Sequence, residues 1–221
     1  MTLPKNILTS IRAVLLLTLL LGIVYSLALT GVAQVVFPGN ANGQLVHAGG
    51  HVIGSKLIGQ QFTRLVHTRD GKVKMSDGEP VTVPDKRYFQ SRPSGTDPAY
   101  NAAASTFANL GPNDRATEQA IAANAKAYLA LNRPYDPSLT LSRVPVDAAD
   151  TSASGLDPDI SPANADIQAH RVAAVRHLPL TRVMSLVQRY TGGRGLGFSG
   201  EPTVNVLELN LALDRIHQGQ S

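Results

Sequence analysis

The chain of 221 residues contains no cysteine and no tryptophan. Without cysteine there are no disulfides, thiol nucleophiles or zinc–thiolate centres. Aromatic residues are scarce at 5%, and they rarely interleave with the dispersed Lys and Arg. A net charge of +4 therefore reads as an ordinary solvated surface and not as a nucleic-acid footprint. The most telling absence is charge itself: no charged residue lies between Arg12 and Lys56. Inside that gap, residues 13–33 are almost unbroken Leu, Ile, Val and Ala. As a helix rising about 1.5 Å per residue they span ~31 Å, enough for the hydrocarbon core of a bilayer.

Lys5 and Arg12 stand on the N-terminal side of this run. The positive-inside bias then puts the N-terminus in the cytoplasm and the C-terminal part across the membrane. A cleavable signal peptide has the same ingredients, with small residues at Gly31 and Ala33 for a peptidase. The run exceeds a signal core of about 7–15 residues. It also continues through Val35, Val36 and Phe37 to a Pro38-Gly39-Asn40 break, so an uncleaved anchor is the reading taken here. Thr18, Gly22, Ser26, Thr30 and Gly31 line up small residues at near-helical spacing, which would let a partner helix approach closely.

All 16 acids and every Lys and Arg except Lys5 and Arg12 follow the anchor. The soluble remainder, roughly 185 residues, is long enough for a core without covalent staples. We expect residues 1–36 to form the anchor segment and 37–221 one compact extracytoplasmic α+β domain. Gln44-Leu45-Val46 and residues 52–59 read as short strands. Residues 64–87 carry Asp70-Gly71 and Asp77-Gly78 turn signals and read as a surface hairpin. A helix is expected from an N-cap at Asn113 to Asn132, with Ala120, Ile121, Ala125, Tyr128, Leu129 and Leu131 on its apolar side. Val144-Pro145-Val146-Asp147 looks like a strand end. Ser161 and Pro162 open a second helix that buries Ile167, Ala174 and Val175 and places Arg171 and Arg176 near its C-terminal dipole. Val183, Met184, Leu186, Val187 and Tyr190 keep helical spacing up to Gly192-Gly193. Residues 204–216 alternate partly like a strand, but Asn205 can cap a helix, and helix is the reading adopted.

Motifs for chemistry fail on inspection. Residues 195–200 match G-x-G-x-x-G, but a helix precedes them and Pro202 follows, the reverse of a dinucleotide fingerprint. Gly54-Ser55-Lys56 has the wrong order for a phosphate loop. His47 and His51 flank Ala48-Gly49-Gly50 and have no nearby carboxylate for a metal site. Ser199 lacks the glycine register of a nucleophile elbow, and Ser152, Ser154 and Ser161 suit turns and caps. A membrane-tethered periplasmic binding protein or serine hydrolase acting alone is the alternative that these residues leave open.

Several polar, turn-rich segments are more specific. They include 54–60, Tyr88-Phe89-Gln90-Ser91-Arg92-Pro93-Ser94, Tyr100-Asn101, Ser152-Ala153-Ser154-Gly155-Leu156-Asp157, Gln168 with Arg171, and Val204-Asn205-Val206 through Asn210-Leu211-Ala212-Leu213-Asp214. Together with the anchor they resemble the C subunit of the Kdp potassium-transporting ATPase, in order and over nearly the whole chain. Three departures stand out: a longer 64–87 segment, Ser105-Thr106-Phe107-Ala108-Asn109-Leu110 in place of a glycine-rich loop, and Ser26 where a proline is usual.

The resemblance implies a non-catalytic subunit of a P-type potassium importer in the bacterial inner membrane. Its partners would be a potassium-channel-like subunit, an ATP-hydrolysing subunit and membrane lipid. Contact residues would be Thr18, Gly22 and Ser26 on the anchor, with Tyr88, Arg92 and Asn101 on the domain. The family is also described as a catalytic chaperone that raises the ATP affinity of the hydrolysing subunit. Ser154, Gly155 and Gln168 match the segment proposed to meet ATP directly. No cofactor or metal is expected to be resident in this chain, ATP acting through the catalytic subunit.

Overall fold

The computed structural model describes residues 3–104, 111, 113–194 and 197–218. It divides into two compact units, one ending at Ser55 and the other beginning at Lys56. The substitution of a glycine-rich loop by residues 105–110, and Gly195 and Leu196 of the glycine motif, lie outside the described residues.

The first unit opens with a helical run longer than the apolar core alone requires. It comprises α1 (Leu3–Leu17), a π-helical stretch (Thr18–Tyr25) and α2 (Ser26–Val36). Its apolar residues are exposed along its whole length, as lipid-facing groups would be, and Pro4–Val36 is long and apolar enough to cross a membrane. The sequence gives no proline to explain a break within it. Instead the hydrogen-bond ladder widens over eight residues, and Ser26 Oγ donates to the Leu21 carbonyl at 3.2 Å. Pro38 then starts α3 (Pro38–Ala41), where Asn42 Nδ2 donates to Gln34 Oε1 (3.0 Å) and to the Pro38 carbonyl (2.7 Å). A hairpin follows, β1 (Leu45–Ala48) with β2 (His51–Ser55), turned by Gly49 and Gly50 at positive φ. The second strand stops at Ser55 because residues 56–57 form a turn, so it is shorter than the expected 52–59. His47 and His51 fall on opposite strands.

The second unit begins with the predicted hairpin. β3 (Thr63–Leu65) pairs with β6 (Thr82–Pro84), and β4 (Met75–Ser76) with β5 (Glu79–Pro80) nests between them. Asp70-Gly71 and Asp77-Gly78 both make the turns they signal. Helix α4 (Arg115–Asn132) starts one residue later than expected: Asp114, not Asn113, caps it, its carboxylate accepting from Ala116 N (2.8 Å) and Thr117 N (3.0 Å). A carboxylate at that position also favours the positive end of the helix. Ala120 turns to solvent while Ala125, Tyr128 and Asn132 are buried.

The expected strand end at Val144-Pro145-Val146-Asp147 is instead a short helix, α5 (Val146–Ala149). Pro145 sets the entry φ, and Asp147 is drawn to Ser161, accepting from its backbone N–H at 2.7 Å and its hydroxyl at 2.9 Å. After β7 (Asp159–Ile160), helix α6 (Pro162–Arg176) is capped as predicted, Ser161 Oγ accepting from Asn164 N at 3.1 Å. Its core face is Ala165, Ala169, Val172 and Ala173; Ala174 is exposed and Val175 only partly buried, against expectation.

Helix α7 (Leu180–Tyr190) runs into β8 (Thr191–Gly192), and β9 (Thr203–Asn205) leads directly into α8 (Val206–Gln218). The ambiguous final segment is thus a short strand followed by the adopted helix, with Asn205 Oδ1 accepting from Glu208 N at 3.1 Å. β9 occupies the centre of a three-stranded antiparallel sheet, order β7-β9-β8. α6, α7 and α8 pack with Phe89, Ile160, Val183, Val187, Val204, Leu209 and Leu213 in one apolar core. Each such fully buried aliphatic or aromatic side chain contributes ~1.5–3 kcal/mol over exposure. The unit is α+β, as the sequence indicated.

Candidate functional site

Beneath the Tyr88–Ser94 segment lies a buried polar network centred on α6. Arg171 is 0% exposed and, among the described residues, meets no carboxylate. Its guanidinium donates to Asn132 Oδ1 (2.9 Å), the Lys86 and Tyr88 carbonyls (2.7 and 2.9 Å) and Gln168 Oε1 (2.7 Å). Four neutral acceptors thus take the place of water around a buried cation. Burial pushes its pKa down to about 10, still protonated near neutrality. The expectation that Arg171 serves the helix dipole is corrected: it lies inside, holding a loop to the helix. Arg176, one and a half turns further on, donates to the Arg87 carbonyl and pairs with Asp214 at 2.8 Å.

Gln168 is equally enclosed. Its Oε1 accepts from the Gln90 N–H (2.7 Å) and from Arg171, and its Nε2 donates to the Gln90 carbonyl (3.0 Å) and Asn164 Oδ1 (2.9 Å). An amide has two donor and two acceptor sites, and all four are occupied. Asn210 repeats the device one residue earlier in the loop, accepting from Phe89 N (2.9 Å) and donating to Phe89 O (2.9 Å). Asn132 and Asn164, and the joining of Arg171, Gln168 and Asn210 to them and to one loop, escaped sequence reasoning. The available signal was a set of amides falling at otherwise apolar helix positions.

Arg92, Ser154, Gly155 and Asn101 come together in a second place, a junction of loops. Arg92 Nη1 pairs with Asp157 at 3.1 Å, and Nη2 donates to the carbonyls of Thr151 (2.9 Å) and Asp150 (3.4 Å). Gly155 sits at φ +70°, and a Cβ there would press on the Gly95 backbone at 3.0 Å. Its carbonyl accepts from Ser94 Oγ at 2.8 Å. Ser154 Oγ lies 3.3 Å from Ser152 Oγ and accepts from Leu156 N at 3.2 Å. Asn101 donates its backbone N–H to Thr96 Oγ1 (3.1 Å), and its side chain accepts from Ala103 N (3.0 Å). Tyr100 donates its hydroxyl to the Arg92 carbonyl, and burial drives its pKa up to about 12. Gly59 is compulsory here, since a Cβ would collide with the Tyr100 ring and stand 2.8 Å from the Asp157 carbonyl. The Arg92 guanidinium at this junction is already paired with Asp157, and Asp97 and Asp150 lie in the same loops, an unfavourable field for a polyphosphate.

Tyr88 lends its carbonyl to Arg171, but its side chain belongs to neither cluster. Its hydroxyl donates to Asp214 Oδ2 at 3.1 Å, and its ring receives the Arg176 guanidinium at 4.7 Å. Burial and the Asp214 carboxylate raise its pKa. Thr18, Gly22 and Ser26 lie in the first unit, along the π-helical stretch and at its exit. Gly22 leaves Thr18 Cγ2 3.9 Å from where its Cβ would be.

A candidate membrane-spanning helix in one unit and an α+β fold with a buried polar network in the other define the class: an α+β protein with one candidate membrane anchor. The family model described as K+-transporting ATPase, c chain, matches residues 7–215, and the chain belongs to this KdpC family. It is 42% identical over 210 residues to the potassium-transporting ATPase KdpC subunit of Koribacter versatilis, covering 95% of this chain and 94% of that one. The subunit of the same name from Mycobacterium bovis is 44% identical over 212 residues, covering 96% and 99%. That from Methylococcus capsulatus is 47% identical over 200 residues, covering 90% and 92%.

Proposed function

We propose that the chain is a non-catalytic accessory subunit of a high-affinity, ATP-driven potassium import complex. The observation that carries this reading is the family match, which runs unbroken from the apolar helix into the last helix. The helix anchors the subunit in the bacterial inner membrane with its N-terminus in the cytoplasm, following the placement of Lys5 and Arg12. Residues 37–221 work on the extracytoplasmic side. The partners are a potassium-channel-like subunit and the ATP-hydrolysing subunit, and Thr18, Gly22 and Ser26 form the close-approach surface of the anchor.

The subunit assists assembly and raises the ATP affinity of the hydrolysing subunit as a coupling free energy between protein surfaces. Gln168, Ser154 and Gly155 support this effect by fixing the loops that present the domain. The saturated amide of Gln168 favours that role over a direct contact with nucleotide.

Extraction of native membranes in mild detergent, with a tag on this chain, tests the proposal. The expected result is co-purification of the two larger subunits, with the KM for ATP rising when this chain is depleted. Recovery of the chain alone, with unchanged ATP dependence of the pump, would refute it. Purified chain is expected to show no measurable ATP affinity, and Gln168→Ala to leave that result unaltered.

A further inference from the structure

Between α7 and α8 runs a groove of about 420 Å³ lined by Arg182, Arg189 and Arg215, with Tyr190 beside them. Leu186, Ala212 and Ile216 supply its apolar floor. None of the three guanidiniums forms a hydrogen bond or ion pair among the described residues, whereas Arg87, Arg92, Arg176 and Arg194 all meet carboxylates. Asp214, the acid next in sequence to Arg215, is committed to Arg176 and Tyr88. Three like charges around one concavity repel each other, so the groove stores a standing preference for an anion. Planar guanidiniums suit phosphate oxygens, to which they donate in pairs.

We propose that this groove binds the headgroup of an anionic phospholipid, the arginines on the phosphate and the apolar floor against the start of the acyl chain. An inorganic anion would use only the rim. An amphipathic one uses rim and floor together, and a tyrosine at such a boundary fits a ligand that is apolar at one end and wet at the other. The same chain carries the candidate membrane-spanning helix, so phospholipid is the anion held at high effective concentration. Nothing in this assignment depends on subunit partnership, and co-purification and lipid binding fail independently.

The full chain in neutral-detergent micelles provides the test, read by arginine side-chain N–H resonances. The probes are short-chain phosphatidylglycerol, short-chain phosphatidylcholine, inorganic phosphate and a polyglutamate peptide. The phosphatidylglycerol probe is expected to shift Arg182, Arg189 and Arg215 saturably and to bind about tenfold more tightly than phosphatidylcholine or inorganic phosphate. Arg189→Gln combined with Arg215→Gln should weaken it about tenfold, and Arg182→Gln alone should weaken it measurably if the double variant does not fold. Arg143→Gln, outside the groove, should leave it unchanged. Equal affinity for inorganic phosphate or phosphatidylcholine, a response only to polyglutamate, or shifts that persist in the arginine variants would each overturn the assignment.

Discussion

Arg171 shows how a single side chain can organise this domain. Four neutral acceptors replace its water, so removing it takes a donor from all four at once, while Gln168 Oε1 and the Tyr88 carbonyl keep Gln90 as a second donor. We expect Arg171→Met to destabilise the domain by ~2–5 kcal/mol, since the Asn132 Oδ1 and Lys86 carbonyl acceptors lose their donor and each such buried group costs about 1–3 kcal/mol. Arg171→Lys should lose less, because the charge stays while the fork geometry goes. Urea denaturation followed by tyrosine fluorescence will rank the three. Tyr100 sets a pH limit of the opposite kind. Its folded-state pKa of about 12 lies above the ordinary value of 10, so its contribution is complete below pH 10 and is lost as pH rises towards 12. The urea midpoint should therefore fall between pH 10 and 12, and Tyr100→Phe should flatten that fall. A midpoint constant across this window would contradict the assignment.

At the scale of elements, caps and close approaches decide where segments begin and meet. Ser161→Ala removes both the α6 cap and the hydroxyl bond to Asp147, and a loss of ~1–2 kcal/mol is expected by thermal unfolding. Gly59→Ala should cost ~1–3 kcal/mol from overpacking against Tyr100 and the Asp157 carbonyl, and Tyr100→Ala in the same chain should relieve part of it. In the anchor, Gly22→Leu should leave the soluble fold intact yet lower the yield of co-purified subunits, since it fills the surface beside Thr18. The helices α4, α6, α7 and α8 were legible because their apolar spacing is local, as are the Ser161 and Asn205 caps of α6 and α8. The helix at Val146–Ala149 was not, because Asp147 answers to Ser161, fourteen residues away.

For the whole molecule, the division at Ser55 separates a helical unit with exposed apolar surface from a unit with its own core. The orientation we propose makes a topological prediction. Protease added outside intact spheroplasts should degrade the epitopes of residues 56–221 and spare one placed before Lys5. The reverse pattern would place the domain in the cytoplasm and remove the basis for an extracytoplasmic role.

The amino-acid sequence by itself determined the apolar helix, the hairpin at 64–87, the Ser161-Pro162 helix start and the family, since each rests on neighbouring residues or on ordered motifs. The tertiary structure alone decided that Gln168 and Arg171 face inward, that Arg92 grips Asp157, and that three arginines share a groove. The reason is physical: a polar side chain's role depends on which distant carbonyl or carboxylate replaces its water, and the intervening chain carries no periodic trace of that partner.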